Sequence, residues 1–445
     1  MKTSKILLAV ALGTSGALIS AATAPSARAQ SSTSGAIQGV VTDKADGSPL
    51  AGVTVVVSGA TSQTTITEDD GSYRITDLTP GDYLVTFFFG DAKVERSGVK
   101  VGVNKTTPVF QKINISASET IVVVDRPPAI DPTSTTQGIT IDQDYTKNIP
   151  VPGRTFEATL GAAAGSQGDG LGVAFSGSSS LENQYVVDGV NTTGLKYGTV
   201  GSPVINDFIE EIEVITGGYN AEYGRATGGV VNVATLTGGN EFEGRVFAYV
   251  TPGQLTAERN VAATEQTSID ATGNLDIDAN FGFTLTGPII KDRVWFAVGV
   301  APRYIRNTIT RETKRRVDCY QRLPNGSLSE CNAALESMGG FADGVADIDP
   351  DTGFHIYEKL DETKLRPSSM ALSTLAKINF AVKPEHQGQF TFQASPAQGK
   401  NYSVYGLRSA GDSTSTALGL DAGFKWTSKF NDSKTEVEAV LGWHR

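Results

Sequence analysis

The chain of 445 residues is longer than one ordinary domain, and its 49 glycines point to turn-rich β structure divided among several units. A net charge of −11, with no long Lys/Arg run against it, excludes a phosphate-rich partner, so no nucleic acid is expected. The only three histidines, His355, His386 and His444, cannot build an HxxE or HExxH zinc site, which removes metallopeptidase chemistry, and no cofactor is expected.

The amino terminus reads as a processing segment. Lys2 and Lys5 form a positive start, ILLAVALGTSGALIS is a short apolar run, and Ala27-Arg28-Ala29 is a small-residue cleavage site, so residues 1–29 form a signal peptide and the exported chain starts at Gln30. In an oxidising compartment Cys319 and Cys331 are candidates for one disulfide, enough to staple a loop.

Residues 36–115 follow as short alternating runs, AIQGVV, GVTVVV, QTTITE, SYRIT, DYLVTFFF and PVFQKINI, separated by DG, SG, DDG and PGD turns. That spacing predicts a small β-sandwich. The segments GVVTDKADGSPLAGVTVVVSG and TEDDGSYRITDLTPGDYLVTF resemble the carboxypeptidase regulatory-like domain, which implies a carbohydrate-binding-like β-sandwich and brings no peptidase chemistry with it.

Next comes SETIVVVDRPP, in which a run of β-branched residues is halted by Pro127 and Pro128. Consecutive β-branched residues favour an extended strand, and a strand with no partner of its own can add to another protein's sheet edge; the alternative is a last strand of the sandwich, continuing INIS. DRPPAIDPTS, residues 125–134, is an extended linker. Beyond it, QYVVDGVN sets Asp188-Gly189 between two short strands, a favoured two-residue hairpin turn. Glu210, Glu211 and Glu213 alternate with Ile209, Ile212 and Val214, which predicts a half-buried strand with a wet face rather than an acid/base cluster. No nucleophile elbow or P-loop is present, so catalysis is not expected.

From residue 240 onward about seven segments have the length and alternation of transmembrane strands: EFEGRVFAYV, DANFGFTLTG, RVWFAVGVAPRY, ALSTLAKINFAV, GQFTFQAS, ALGLDAGFKWTS and KTEVEAVLGWHR. Phe281, Phe283 and Leu285 share one face opposite Gly282, Thr284 and Thr286, and Val437, Ala439, Leu441 and Trp443 share another. The connections alternate strictly, long at 251–277, about 306–369 and about 397–415, short at GPIIKD, KPEH and FNDS. Short inner turns and long outer loops are the asymmetry of an outer-membrane barrel. The expected fold class is therefore mainly β: an N-terminal β-sandwich, an intervening α/β domain, and the first strands of a transmembrane β-barrel.

With a barrel in view, PGRTF, ENQYVVDGV, IEEIEVITGGYNAEYGRATGGVVNV and NEFEGRVFAYV resemble the plug and first barrel strand of TonB-dependent outer-membrane receptors, closest to the Oar-like branch that carries an N-terminal sandwich. The resemblance implies a barrel of about 22 strands filled by a plug. It carries Arg154, Asp188, Gly189, Glu222, Tyr223 and Gly224 as plug-motif positions, with Glu222 standing where many siderophore receptors have a basic residue. It also implies that Glu119, Thr120, Ile121, Val122, Val123 and Val124 form the TonB box. The implied layout is signal peptide 1–29, sandwich 36–115, TonB box and linker 116–134, plug 135–239 and partial barrel 240–445.

The function implied is energy-coupled uptake of a large or scarce ligand across the outer membrane of a Gram-negative bacterium, with the sandwich and TonB box in the periplasm. Its partners would be the TonB energy-coupling protein, outer-membrane lipid and an unknown external ligand, whether siderophore, glycan or peptide. The alternative is an outer-membrane adhesin or structural protein binding polysaccharide through the sandwich. Seven strands cannot close a barrel without leaving edge groups unpaired in lipid, so the reading frame is expected to continue past Arg445. In DIDPDTGFHIYE, Asp347, Asp349, Asp351 and Glu358 fall at ligand positions of a calcium loop, but Thr352 replaces the required glycine, and a solvated acidic loop is the preferred reading.

Overall fold

The computed structural model describes residues 34–90, 92–114, 120–124, 136–148, 153–219, 223–224, 226–257, 266–318, 345–349, 352–383, 385–405, 411–431 and 435–445. The signal peptide, the 125–134 linker, Glu119, Glu222, Cys319, Cys331 and Asp351 lie outside the described residues. The chain divides into two compact units, one of residues up to 135 with 383–387 and 426–439, and one of residues 136–382, 388–425 and 440–445.

The sandwich comprises β1 (Gly35–Asp43), β2 (Thr54–Ser58), β3 (Ser62–Ile66), β4 (Ser72–Leu78), β5 (Gly81–Phe89), β6 (Ala92–Val101), β7 (Thr106–Pro108) and β8 (Gln111–Ile113), with β9 (Thr120–Val124) beyond. One sheet runs β4-β1-β7, with β8 also on β1, and the other runs β3-β2-β5-β6-β9. The period of two seen in the sequence is what packs them: Val55 and Val57 of β2, Tyr83, Val85 and Phe87 of β5 and Ile37 of β1 are buried in one core. Each such side chain contributes roughly 1.5–3 kcal/mol by leaving water. The Tyr73 hydroxyl reaches the Val109 carbonyl at 2.8 Å, and burial pushes its pKa well above the ordinary tyrosine range.

The reading of ETIVVV as a strand with no partner of its own is corrected, and Thr120–Val124 extends the sandwich as the alternative reading has it. Thr120–Val124 pairs in parallel with β6, in register from Lys93↔Thr120 to Ser97↔Val124. The reason is non-local: β6 lies some two dozen residues upstream and leaves one edge for a strand that β-branched residues readily supply.

The plug contains β10 (Gln137–Asp142), α1 (Gln143–Asn148), β11 (Ser166–Gly168), β12 (Val173–Phe175), β13 (Gln184–Val187), β14 (Val190–Asn191), β15 (Ile209–Gly217) and β16 (Val230–Thr235). Its main sheet has the order β10-β15-β16-β13-β14. β13 and β14 form the hairpin predicted at Asp188-Gly189, whose φ values of 48° and 84° suit a type I′ turn. The wet face predicted for β15 is mostly absent: Glu210 is half-buried, and Glu211 is 5% and Glu213 4% exposed. Sequence alternation assumed solvent on one face of this sheet, whereas every residue of the neighbouring β16 is buried too.

The barrel strands are β17 (Glu243–Pro252), β18 (Ile269–Ile290), β19 (Val294–Arg316), β20 (Tyr357–Leu365), β21 (Ser368–Lys383), β22 (His386–Asn401), β23 (Ser413–Phe430) and β24 (Thr435–His444). They form one antiparallel sheet, β17-β18-β19-β21-β22-β23-β24, with β20 on the upper part of β19. Phe281, Phe283, Leu285, Leu441 and Trp443 are exposed on its outer face, as a lipid-facing wall requires.

The long connections are shorter than predicted because pairing continues well past the apolar band. β18 has 22 residues and β19 has 23, against about 10 needed to cross the hydrocarbon. The extensions are held by polar pairs, Arg303–Asp278 at 2.7 Å, Lys314–Asp270 at 2.9 Å and Arg315–Glu358 at 2.8 Å, so their sequence lacks apolar alternation and reads as loop.

Candidate functional site

The plug and the barrel wall share one hydrophobic core. Ile141, Phe156, Phe208, Ile212 and Val233 of the plug cluster with Phe247, Ala297, Ala301 and Leu375 of the wall. Small wall residues make the seat: a Cβ placed on Gly299 would stand 2.5 Å from the Phe208 ring, and Cβ atoms on Gly423 and Gly442 would stand 2.8 and 2.6 Å from Val190. These glycines matter because plug side chains occupy the space their own side chains would fill.

Three polar attachments cross the same interface. Asp188, at the hairpin turn, accepts from the Thr235 amide at 3.1 Å, the Thr235 hydroxyl at 2.6 Å and Lys377 Nζ at 2.9 Å. Lys377 also donates to the Thr235 carbonyl at 3.1 Å, and both charged side chains are nearly excluded from solvent. A pair this buried is held by its mutual attraction together with the Thr235 amide, hydroxyl and carbonyl that bond to it.

Asp207 lies just before β15 with 3% of its side chain exposed and receives two guanidiniums, Arg154 from the plug and Arg245 from β17. Tyr249 adds a hydroxyl donor to Asp207 at 3.1 Å, and its ring lies under Arg154, 3.3 Å from guanidinium carbon to ring centre. At the third attachment the Ser202 hydroxyl donates to Asp421 of β23, and His444 of β24 hydrogen-bonds the other oxygen of that carboxylate.

A separate surface of the plug is open. Asp169 accepts from the Ser180 amide at 2.8 Å, the Ser180 hydroxyl at 3.0 Å and the Leu171 and Gly172 amides at 3.0 and 2.9 Å. These donors, Ser180 foremost, hold its carboxyl well below the usual carboxylate range. The loop it ties exposes Leu171, and the neighbouring loops expose Leu181, Leu195 and Tyr197, four large apolar side chains in water.

The residues singled out from sequence fall as follows. Arg154 and Asp188 are brought into the wall attachments, Gly189 completes the turn, and Tyr223 is buried in a small cluster with Ile215, Ala226 and Val230 beside exposed Gly224. Thr120–Val124 is the edge strand on β6. The described calcium positions do not converge: Glu358 lies on β20 against Arg315, while the Asp349 amide donates to the Phe354 carbonyl and the Gly353 amide to the Asp349 carbonyl. Among the described residues no group of three acidic or metal-ligating side chains could hold an ion. Sequence reasoning missed Asp207, Lys377, Asp421 and His444; the available signal was a charge at an inward position of an alternating strand, as Lys377 is within ALSTLAKINFAV.

Comparison with known proteins gives the following. Residues 36–114 match the carboxypeptidase regulatory-like domain, and residues 142–230 match the TonB-dependent receptor plug domain. The chain is 35% identical over 448 residues to the TonB-dependent transporter Oar of Myxococcus xanthus, covering 93% of this chain and 40% of that protein. It thus spans less than half the length of the curated relative it matches. Among solved structures, the siderophore receptor PirA from Acinetobacter baumannii is 15% identical over 66% of this chain and 45% of its own, with a TM-score of 0.33. The outer membrane transporter YddB from Escherichia coli is 11% identical over 69% of this chain and 38% of its own, with a TM-score of 0.44.

Proposed function

We propose that this chain belongs to the TonB-dependent outer-membrane receptors, on their Oar-like branch, and that the protein takes up an external ligand too large or too scarce for open pores, using force delivered by TonB. Its place is the outer membrane of a Gram-negative cell. The proposal is for transport without catalysis.

The observation that carries this reading is the shared plug and wall core with its buried Asp188–Lys377 pair. A plug held by burial and matched charges does not vacate a lumen by thermal motion at a useful rate, so a path through it requires work. A purely adhesive protein has no need of such a removable stopper. In the proposed cycle the ligand, a siderophore, glycan or peptide, binds the outer loops and the apolar plug loops around Leu171, Leu195 and Tyr197. TonB then grips Thr120–Val124, with Glu119 completing the box, and pulls part of the plug aside. Strand addition suits this segment because backbone groups carry the grip and five consecutive β-formers supply them.

The test is crosslinking in intact cells. Val122→Cys in the full protein should form a disulfide with a cysteine in the last strand of TonB, and Val122→Pro should abolish uptake with the receptor still in the outer membrane. Absence of any crosslink, with normal uptake by the proline variant, overturns the proposal.

A further inference from the structure

We infer that the outer edge of β6 is a resting dock for the coupling strand, and that TonB engages Thr120–Val124 only after taking it off that edge. The inference rests on the TonB-box reading above.

Three observations carry it. First, β9 lies beyond the regulatory-like domain, whose match ends at residue 114. Yet β9 continues the second sheet as its fifth strand, paired residue for residue with Lys93–Ser97.

Second, β6 is furnished as an edge strand although β9 covers it over Lys93–Ser97. Its ten residues, AKVERSGVKV, include Lys93, Glu95, Arg96 and Lys100, and Lys93 and Glu95 pair with each other at 2.6 Å. Gly98 has a φ of 74°, and the β5/β6 ladder shifts register between Tyr83 and Val85. Charges, a left-handed glycine and a bulge are among the features by which sheet edges avoid unwanted pairing. β6 therefore carries features that let it stand as the edge of its sheet.

Third, the contact is short and parallel. Five residues pair with β6 in the less stable of the two ladder geometries. Such a strand is retained locally at high effective concentration and yet is displaced by a partner that offers a longer ladder. The sandwich then has a role that needs no carbohydrate: it keeps an apolar, uncharged strand covered until TonB arrives.

The experiment uses the full chain with Cys319 and Cys331 replaced by serine. Glu95→Cys with Val122→Cys places two thiols at a register pair, and Glu95→Cys with Thr120→Cys is the off-register control. Oxidation should close the first pair well beyond the control, and the locked receptor should bind the purified periplasmic domain of TonB at least tenfold more weakly than its reduced form. In the wild-type chain, addition of that domain should speed amide exchange in Lys93–Ser97. In-register crosslinking no better than the control, or equal binding by locked and reduced forms with β6 exchange unchanged, overturns the dock and leaves the TonB box standing. Failure of the reduced and wild-type chains to bind TonB at all overturns the TonB box itself, and the dock with it.

Discussion

Lys377 of the barrel wall and Asp188 of the plug's type I′ turn form an ion pair at 2.9 Å with 3% and 2% of their side chains exposed. The turn type needs a residue tolerant of positive φ, the pairing needs a carboxylate, and aspartate satisfies both. One residue therefore shapes the hairpin and anchors it.

Lys377→Met should leave the Asp188 carboxylate buried without its cation, at a cost of about 3–5 kcal/mol to plug seating. Adding Asp188→Asn should recover much of that, since the buried charge then disappears from both sides. Limited proteolysis of the plug in outer-membrane vesicles reads the difference. Equal cleavage of the single and double variants would show that the pair does not hold the plug.

The Phe208 seat gives a steric prediction. Gly299→Ala puts a methyl 2.5 Å from the ring, so the plug must shift at a cost of about 1–3 kcal/mol, and amide exchange across β15 should rise. Phe208→Leu in the same chain should partly relieve it. If the double variant exchanges faster than Gly299→Ala alone, the clash is not the cause.

How legible these features were depended on how local they are. The Asp188-Gly189 turn, the Val55 and Val57 alternation and the Phe281, Phe283 and Leu285 outer face were all readable, because each is set by neighbours within a few residues. The burial of Glu211 and Glu213 was not, because their covering comes from parts of the chain far away in sequence. Pairing of β9 with the sandwich was the less favoured of two readings for the same reason, parallel partners carrying no hairpin signal between them. The tall halves of β18 and β19 read as loops because Asp276, Asp278, Arg303 and Arg306 pair across strands instead of facing lipid.

Asp169 leads to a pH prediction whose sign follows from its lowered pKa. A carboxyl lowered on folding supports its loop above the unfolded value of about 3.9, and that support is lost only as pH falls through the lower folded value. Amide exchange at Leu171, Gly172 and Ser180, corrected for intrinsic rates, should therefore be the same at pH 7 and pH 5. Asp169→Asn, with one acceptor oxygen fewer, should exchange faster at both. Marked loosening of the wild-type loop by pH 5 would show that the carboxylate is not what ties it.

The last prediction concerns Val122, where two roles of one strand can be separated. Docking on β6 and capture by TonB both use backbone groups, so Val122→Thr, also a good strand former, should keep both. Val122→Pro removes a donor and restricts Ile121, so it should weaken both ladders. What it should not do is unfold the sandwich, because the regulatory-like domain ends at residue 114 and β6 is furnished to stand as an edge. The expected proline phenotype is normal abundance in the outer membrane, normal thermal unfolding of the sandwich, rapid amide exchange in Lys93–Ser97 and no crosslink to TonB. Were Val122→Pro instead to lower the abundance of folded protein while Val122→Thr did not, β9 would be an integral strand of the sandwich, and its pairing with β6 would be structural rather than a station the strand leaves.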